Sequence, residues 1–304
     1  MSLKSYAIGI GEHKTALGGN PVADVVRAAI VQTNWTGDKE SMIKAHEEYA
    51  RQAAAQGAKV ICFQELFYGP YFCQVQDAEF YSYAESIPGP TTERFQALAR
   101  ELGMVMVLPM YEQEQPGVLY NTAAVVDADG SYLGKYRKNH IPQVKGFWEK
   151  FYFRPGNLGY PVFDTAVGRI GVYICYDRHF PELARARPGR CQDRVQPVRH
   201  QPRPLRLSLA AGTAGQRGRE RVLHRRDQPH RNRGARRQRF LRHVVLRRPG
   251  GKFVGEVGDA HSPELIVRDL DLSLLDTVRD RWQFYRDRRP DSYDGLVAPD
   301  AHAH

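Results

Sequence analysis

The chain has 304 residues, 42% of them hydrophobic and 26% charged, with a formal net charge of +10. That is enough to bury a sizeable core as one large α/β domain or two smaller ones. Four cysteines without paired or metal-ligand spacing, charges at Lys4, Glu12 and Lys14, and no run near the ~18 apolar residues of a membrane helix give the expectation of a reduced, cytoplasmic protein without signal peptide or membrane partner.

Residues 1–20 read as a loose N-terminal extension, 21–299 as a single domain and 300–304 as a tail. Residues 26–32 form a strand pattern, and Asp38 caps a helix that Gly57 stops. Residues 59–65 are mostly apolar, as expected of a strand covered on both faces. Residues 91–102 repeat the helical spacing with Phe95, Leu98 and Leu102, closed by Gly103; residues 104–108 are a second buried strand. Residues 121–126 and 131–136 flank Asp127-Ala-Asp-Gly130 as a hairpin. Residues 161–165 and 169–174 form another near Gly168, residues 265–267 a last strand, and 274–286 a charged terminal helix. Strand, helix, strand, helix and then hairpins indicate a layered α/β domain.

Three motifs carry the chemistry. Cys175 follows the strand-like Arg169-Ile-Gly-Val-Tyr-Ile174 and precedes Tyr176-Asp-Arg-His-Phe-Pro-Glu182, so it leaves a buried strand into a charged turn. Glu65 ends Lys59-Val-Ile-Cys-Phe-Gln-Glu65, and Lys138 sits in Lys135-Tyr-Arg-Lys-Asn-His-Ile-Pro142. A carboxylate can take the thiol proton, and an ammonium can favour the thiolate and a developing oxyanion.

In residue type and chain order, Glu65, Lys138 and Cys175 resemble the Glu-Lys-Cys triad of the nitrilase, or carbon–nitrogen hydrolase, superfamily. Gly69-Pro-Tyr-Phe-Cys-Gln74, His140-Ile-Pro-Gln-Val-Lys-Gly-Phe-Trp-Glu149 and Phe151-Tyr-Phe-Arg-Pro-Gly156 narrow the resemblance to N-carbamoyl amino acid amidohydrolases, especially bacterial β-ureidopropionase-like enzymes. It implies a four-layer αββα sandwich, a homo-oligomer, no cofactor and no metal. It also implies Glu149 as a second carboxylate that positions Lys138; the residue pattern alone equally allows a surface acid paired with Lys145 or Lys150. The implied reaction hydrolyses the carbamoyl C–N bond of a small-molecule N-carbamoyl acid, N-carbamoyl-β-alanine for preference, to amino acid, carbon dioxide and ammonia. The resemblance also implies that Arg178, three residues after the nucleophile, binds the carboxylate of an acid substrate, a group that a guanidinium suits in bidentate fashion. N-carbamoylputrescine, whose amidases share Gln64-Glu-Leu-Phe67 and Tyr71-Phe-Cys-Gln74, is the alternative. His179 and Tyr68 are further candidates for substrate binding, and His140 for hydrogen bonding around the site.

Residues 184–250 break the pattern. They carry 20 Arg, no Lys and three acids, a balance of +17 that leaves 24 Lys and Arg against 31 Asp and Glu elsewhere. No apolar period runs through them, and the missing aromatic interleaving argues against a nucleic-acid partner. Dropping the first base of each codon lets residues 239–249 read as DFYGTSYFVDP, and two further windows regain family-like strings in the same frame. Residues 187–250 thus look like an out-of-frame translation between compensating errors near Arg187 and Gly250. The expectation is a disturbed second half, with an inactive product as a further alternative.

Overall fold

The structure is a computed structural model, and it describes residues 25–180, 205–206, 255, 262–274 and 289–293. Strand β1 (Val25–Gln32) leads into helix α1 (Lys39–Ala55), where the Asp38 side chain accepts from Ser41 N at 2.9 Å and so satisfies a first-turn N–H. Strand β2 (Val60–Cys62) follows, then helix α2 (Pro90–Leu102), which begins on proline and ends on Gly103 at φ +58, a left-handed cap that glycine adopts without strain. Strands β3 (Val105–Gln115), β4 (Val118–Val126) and β5 (Tyr132–Arg137) make an antiparallel meander. Two short strands, β6 (Gln143–Val144) and β7 (Phe147–Trp148), form a hairpin that runs directly into helix α3 (Glu149–Tyr152).

The first sheet has six strands. β1, β2 and β3 are parallel neighbours, the meander extends one side, and strand β11 (Glu264–Asp271) closes the other, antiparallel to β1. A second sheet holds β8 (Val162–Thr165), β9 (Gly168–Gly171) and β10 (Leu205–Arg206), the last parallel to β9.

Alternation along the strands builds the layers. Ala29 and Val31, Ile61, Met106, Leu108 and Met110, and Ala124 and Val126 face α1 and α2, meeting Met42, Ile43, Phe95 and Leu98. The opposite set (Ala28 and Ile30, Val60 and Cys62, Val105 and Val107, Ala123 and Val125) packs on Phe163 and Ile170 of the second sheet and on Val172 and Ile174 just past it. β2 is accordingly sealed on both faces, as its apolar run predicts. The helix–sheet–sheet order supplies three layers of the expected sandwich. The fourth layer, the N-terminal extension, the 274–286 helix beyond Leu274 and nearly all of the Arg-rich segment fall outside the described residues.

Several elements differ from the sequence reading; β9, expected over 169–174, ends at Gly171. β2 stops at Cys62, and the chain leaves the sheet so that Glu65 lies beyond its end. β3 continues to Gln115 and turns at Gly117, φ +77, into β4; the polar run Glu112-Gln-Glu-Gln115 concealed this hairpin. Among the described residues, no helix is long and apolar enough to cross a membrane.

Candidate active site

Strand direction decides which side chains can meet. β4 reverses β3 and β5 reverses β4, so β5 runs with β2, and their carboxyl ends open on the same edge of the sheet. Glu65 lies just past β2, and Lys138 is the first residue past β5. Lys138 is fixed at both ends of its peptide unit: its N–H donates to Asn121 O at 2.9 Å, and its carbonyl accepts from Gly156 N at 2.8 Å. Only glycine fits at position 156, since a Cβ there would sit 2.2 Å from Arg137 O. Cys175 arrives from the facing sheet. After β9, Val172 and Ile174 stay in the core, and Cys175 opens a 3-10 turn spanning Cys175–His179.

These elements converge. Lys138 Nζ donates to Glu65 Oε1 at 2.9 Å and to Glu149 Oε2 at 2.5 Å. Cys175 Sγ and one carboxylate oxygen from each of Glu65 and Glu149 lie within 4.8 Å of one another. The β6–β7 hairpin delivers Glu149 inward, fully buried, with no pairing to Lys145 or Lys150. Tyr71 OH donates to Glu149 Oε1 at 2.7 Å, and Asn121 Nδ2 donates to Glu65 Oε1 at 2.7 Å. The same three donor groups could grip a metal ion, but the Lys138 ammonium stands between the two carboxylates and supplies the cation they require.

Burying these charges is tolerable because each has a partner; deleting one member of such a buried pair typically costs ~3–5 kcal/mol. Burial disfavours the Lys138 ammonium, but Glu65, Glu149 and the thiol outweigh it and hold the pKa well above its ordinary value. Burial raises Glu149 to about 7, against the pull of Lys138 and with a further push from Glu65. The Cys175 thiol is raised too, first by burial and then by the Glu65 charge; Lys138 and Arg178 only partly offset this. Lys138 favours the thiolate, as expected of an adjacent ammonium, but burial and the Glu65 charge outweigh it. The thiol therefore keeps its proton until a base removes it.

Backbone conformation marks the same place. Among the described residues, two non-glycine residues have φ in the left-handed region: Leu66 at +56°, immediately after Glu65, and Cys175 itself at +46°. Such conformations carry strain and persist where the surroundings impose them.

Asp177 imposes the one at Cys175. Its buried carboxylate accepts Ile174 N at 3.1 Å and Tyr136 OH at 2.6 Å on Oδ2, and His140 N at 2.9 Å on Oδ1. His140 Nδ1 also contacts Oδ1 at 2.8 Å, and its ring stacks on Phe180 with centroids 3.7 Å apart. His140 thus supports the nucleophile turn. Arg178 is half-buried in the turn, and its charge acts on the Cys175 thiol. His179 is exposed, edge-on to Tyr176. Tyr68 is a correction: it is a core residue with 1% exposure, its hydroxyl bonded to Tyr111 O at 2.9 Å and Tyr111 N at 3.1 Å, with no surface left for a substrate.

The sequence reading assigned no site role to Asn121, Tyr71 or Asp177. Tyr71 lies inside the quoted Gly69–Gln74 motif, and Asp177 sits two residues past the thiol. Asn121 carried one usable signal, a lone amide entering an apolar strand.

A sequence model of the carbon–nitrogen hydrolase family matches residues 27–190. The chain belongs to that family. Carbon–nitrogen hydrolases supply both its relatives and its structural neighbours. N-carbamoylputrescine amidase of Solanum lycopersicum is 37% identical over 297 residues, 91% of this chain and 96% of the relative. β-Ureidopropionase of Arabidopsis thaliana is 39% identical over 131 residues, 42% of this chain and 32% of the relative. The crystal structure of a carbon–nitrogen hydrolase from Helicobacter pylori G27 superposes with a TM-score of 0.65 at 25% identity, covering 90% of this chain and 99% of that one. The chain is accordingly an amidohydrolase of this family, with relatives that act on carbamoyl C–N bonds.

Proposed function

We propose that the protein hydrolyses the terminal carbamoyl C–N bond of N-carbamoylputrescine, with Cys175 as nucleophile, Glu65 as general base and acid, Lys138 as oxyanion partner and Glu149 as the group that holds Lys138. The substrate assignment rests on one observation: the similarity to N-carbamoylputrescine amidase runs along nearly the whole of both chains, whereas that to β-ureidopropionase covers a minority of each.

The chemistry follows from the protonated resting thiol. As Sγ attacks the ureido carbon, its proton passes to Glu65, so the thiolate need never exist free in the buried site. Negative charge collects on the carbonyl oxygen, where the Lys138 ammonium and the backbone N–H after Cys175 are the available donors. Glu65 returns the proton to the departing nitrogen, and ammonia leaves. The N-substituted carbamoyl group stays on sulfur as a thiocarbamate. Water, deprotonated by Glu65, then displaces the sulfur, which takes that proton back from Glu65 as the thiol; the resulting carbamic acid breaks down to carbon dioxide and the free amine. A urea carbonyl is poorly electrophilic because two nitrogens feed it, and splitting the reaction through a covalent intermediate lowers each barrier.

A second reading, N-carbamoyl-β-alanine as substrate, is favoured by Arg178. A guanidinium beside the nucleophile suits a carboxylate and repels the ammonium of carbamoylputrescine. Ammonia release by the purified chain from the two substrates separates the readings. The proposal expects kcat/KM for N-carbamoylputrescine to exceed that for the acid by at least ~10-fold, about 1.4 kcal/mol of discrimination. The reverse ratio, abolished by Arg178→Leu, selects the second reading. No ammonia from either substrate overturns both.

A further inference from the structure

We propose that Asn121 is a positioning residue for Glu65, fixing which oxygen of that carboxylate exchanges a proton with Cys175; the inference rests on the amidohydrolase reading above. Asn121 lies on β4, fully buried, at the edge where β2 and β5 end. Its Nδ2 donates to Glu65 Oε1 at 2.7 Å, the same oxygen that takes Lys138 Nζ at 2.9 Å. A carboxylate without a proton only accepts, so chemistry fixes the amide orientation: the NH2 group faces Glu65. Asn121 also accepts the Lys138 N–H on its backbone carbonyl. One residue thus holds the base through its side chain and the amine-bearing residue through its backbone.

The consequence is an asymmetric carboxylate. Oε1 is occupied by two donors, whereas no hydrogen bond to Oε2 occurs among the described residues. Oε2 is the oxygen left to take the thiol proton and return it to ammonia. Stability gives no reason for an amide here. Asn121 Oδ1 is buried without a hydrogen-bond partner among the described residues, an arrangement that disfavours the fold. An apolar side chain of similar size would avoid that cost, so the Nδ2 contact to Glu65 is what the position gains.

The test compares the full chain with Asn121→Ala and Asn121→Asp, the latter isosteric but without the donor. Both variants should lower kcat by ~100-fold, the usual loss for a catalytic group displaced by about 1 Å, while KM stays within ~3-fold. A purely structural role would instead lower the melting temperature and leave kcat per folded molecule unchanged; that result, or kcat within ~3-fold of wild type in either folded variant, overturns the proposal. If neither variant folds, Asn121→Ser carries the same prediction. Crystal structures of wild type and the folded variant give a readout independent of turnover. The Glu65 carboxylate should rotate away from Lys138, and an unchanged carboxylate would count against the role. If the wild type releases no ammonia from any carbamoyl substrate, the parent reading fails, and the crystallographic comparison alone decides the role of Asn121.

Discussion

Tyr136 donates its hydroxyl to Asp177 Oδ2 at 2.6 Å, and this one contact ties the strand that delivers Lys138 to the turn that carries Cys175. Both residues are buried, and Asp177 also takes two backbone N–H groups, from Ile174 and His140. The nucleophile's left-handed backbone is held from both sheets at once. Asp177→Ala should therefore cut kcat by ~100-fold or more through loss of alignment, and Tyr136→Phe, which removes a single donor, by ~10-fold. Steady-state kinetics on folded variants checks the order; Asp177→Ala with near wild-type kcat would contradict the clamp.

Glu149 predicts a pH dependence of stability. Burial raises its carboxyl to about 7 from an ordinary value of 4.5. The folded protein therefore holds a proton that the unfolded chain releases on passing pH 4.5, and by linkage this site's contribution to stability falls as pH rises through that window and levels off above about 7. Tyr71 pulls Glu149 the other way, because its hydroxyl donates to the charged form. Thermal melts between about pH 5 and 8 should show the wild type losing stability relative to Glu149→Gln as pH rises. Tyr71→Phe should steepen the loss. A wild-type-minus-variant difference independent of pH would count against the buried placement.

The Cys175 thiol gives a test with an unusual sign. Glu65 contributes to raising its pKa, second only to burial. Glu65→Gln should thus let the thiolate form at lower pH while abolishing turnover, by ~1,000-fold or more, because the base is gone. Thiolate absorbance, with Cys175→Ser subtracted to remove Cys62, Cys73 and Cys191, measures the first effect, and ammonia release measures the second. A thiol pKa that rises in the variant would contradict the electrostatic account.

The Arg-rich segment calls for a different experiment. The family match ends at residue 190, just past the proposed frame error near Arg187. We propose that DNA sequencing across codons 187–250 will reveal a frame in which the Arg run is replaced by family-like strand sequence. An independent read that confirms the Arg-rich frame, together with relatives sharing it, would contradict this.

Much of the site was legible because its residues sit in short motifs with distinctive neighbours. Glu65 and Cys175 each follow an apolar run and Lys138 directly follows β5; the parallel course of β2 and β5 brings Glu65 and Lys138 to one edge, and Cys175 meets them from the facing side. The limits of α1 and α2 were legible from Asp38 and Gly103, whose capping chemistry is local. Tyr68 misled because an aromatic beside Gly69-Pro70 suits either a pocket or a core, and only the Tyr111 backbone contact distinguishes them. Asn121 reaches Glu65 across 56 residues, Tyr71 reaches Glu149 across 78 and Asp177 reaches Tyr136 across 41, and no local pattern encodes such pairings. The upward push on the Cys175 thiol was hidden for a related reason: charge partners can be named from a sequence, whereas the burial that outweighs them cannot.

Covalent chemistry at Cys175 is the centre of this account, and rapid-quench mass spectrometry tests it most directly. Protein mixed with N-carbamoylputrescine or N-carbamoyl-β-alanine is acid-quenched during turnover, digested and mapped. The account predicts the Cys175 peptide carrying the substrate less ammonia, as a thiocarbamate that accumulates and decays with turnover. Ammonia released at full rate with the Cys175 peptide never modified, and undiminished in Cys175→Ala, would contradict it.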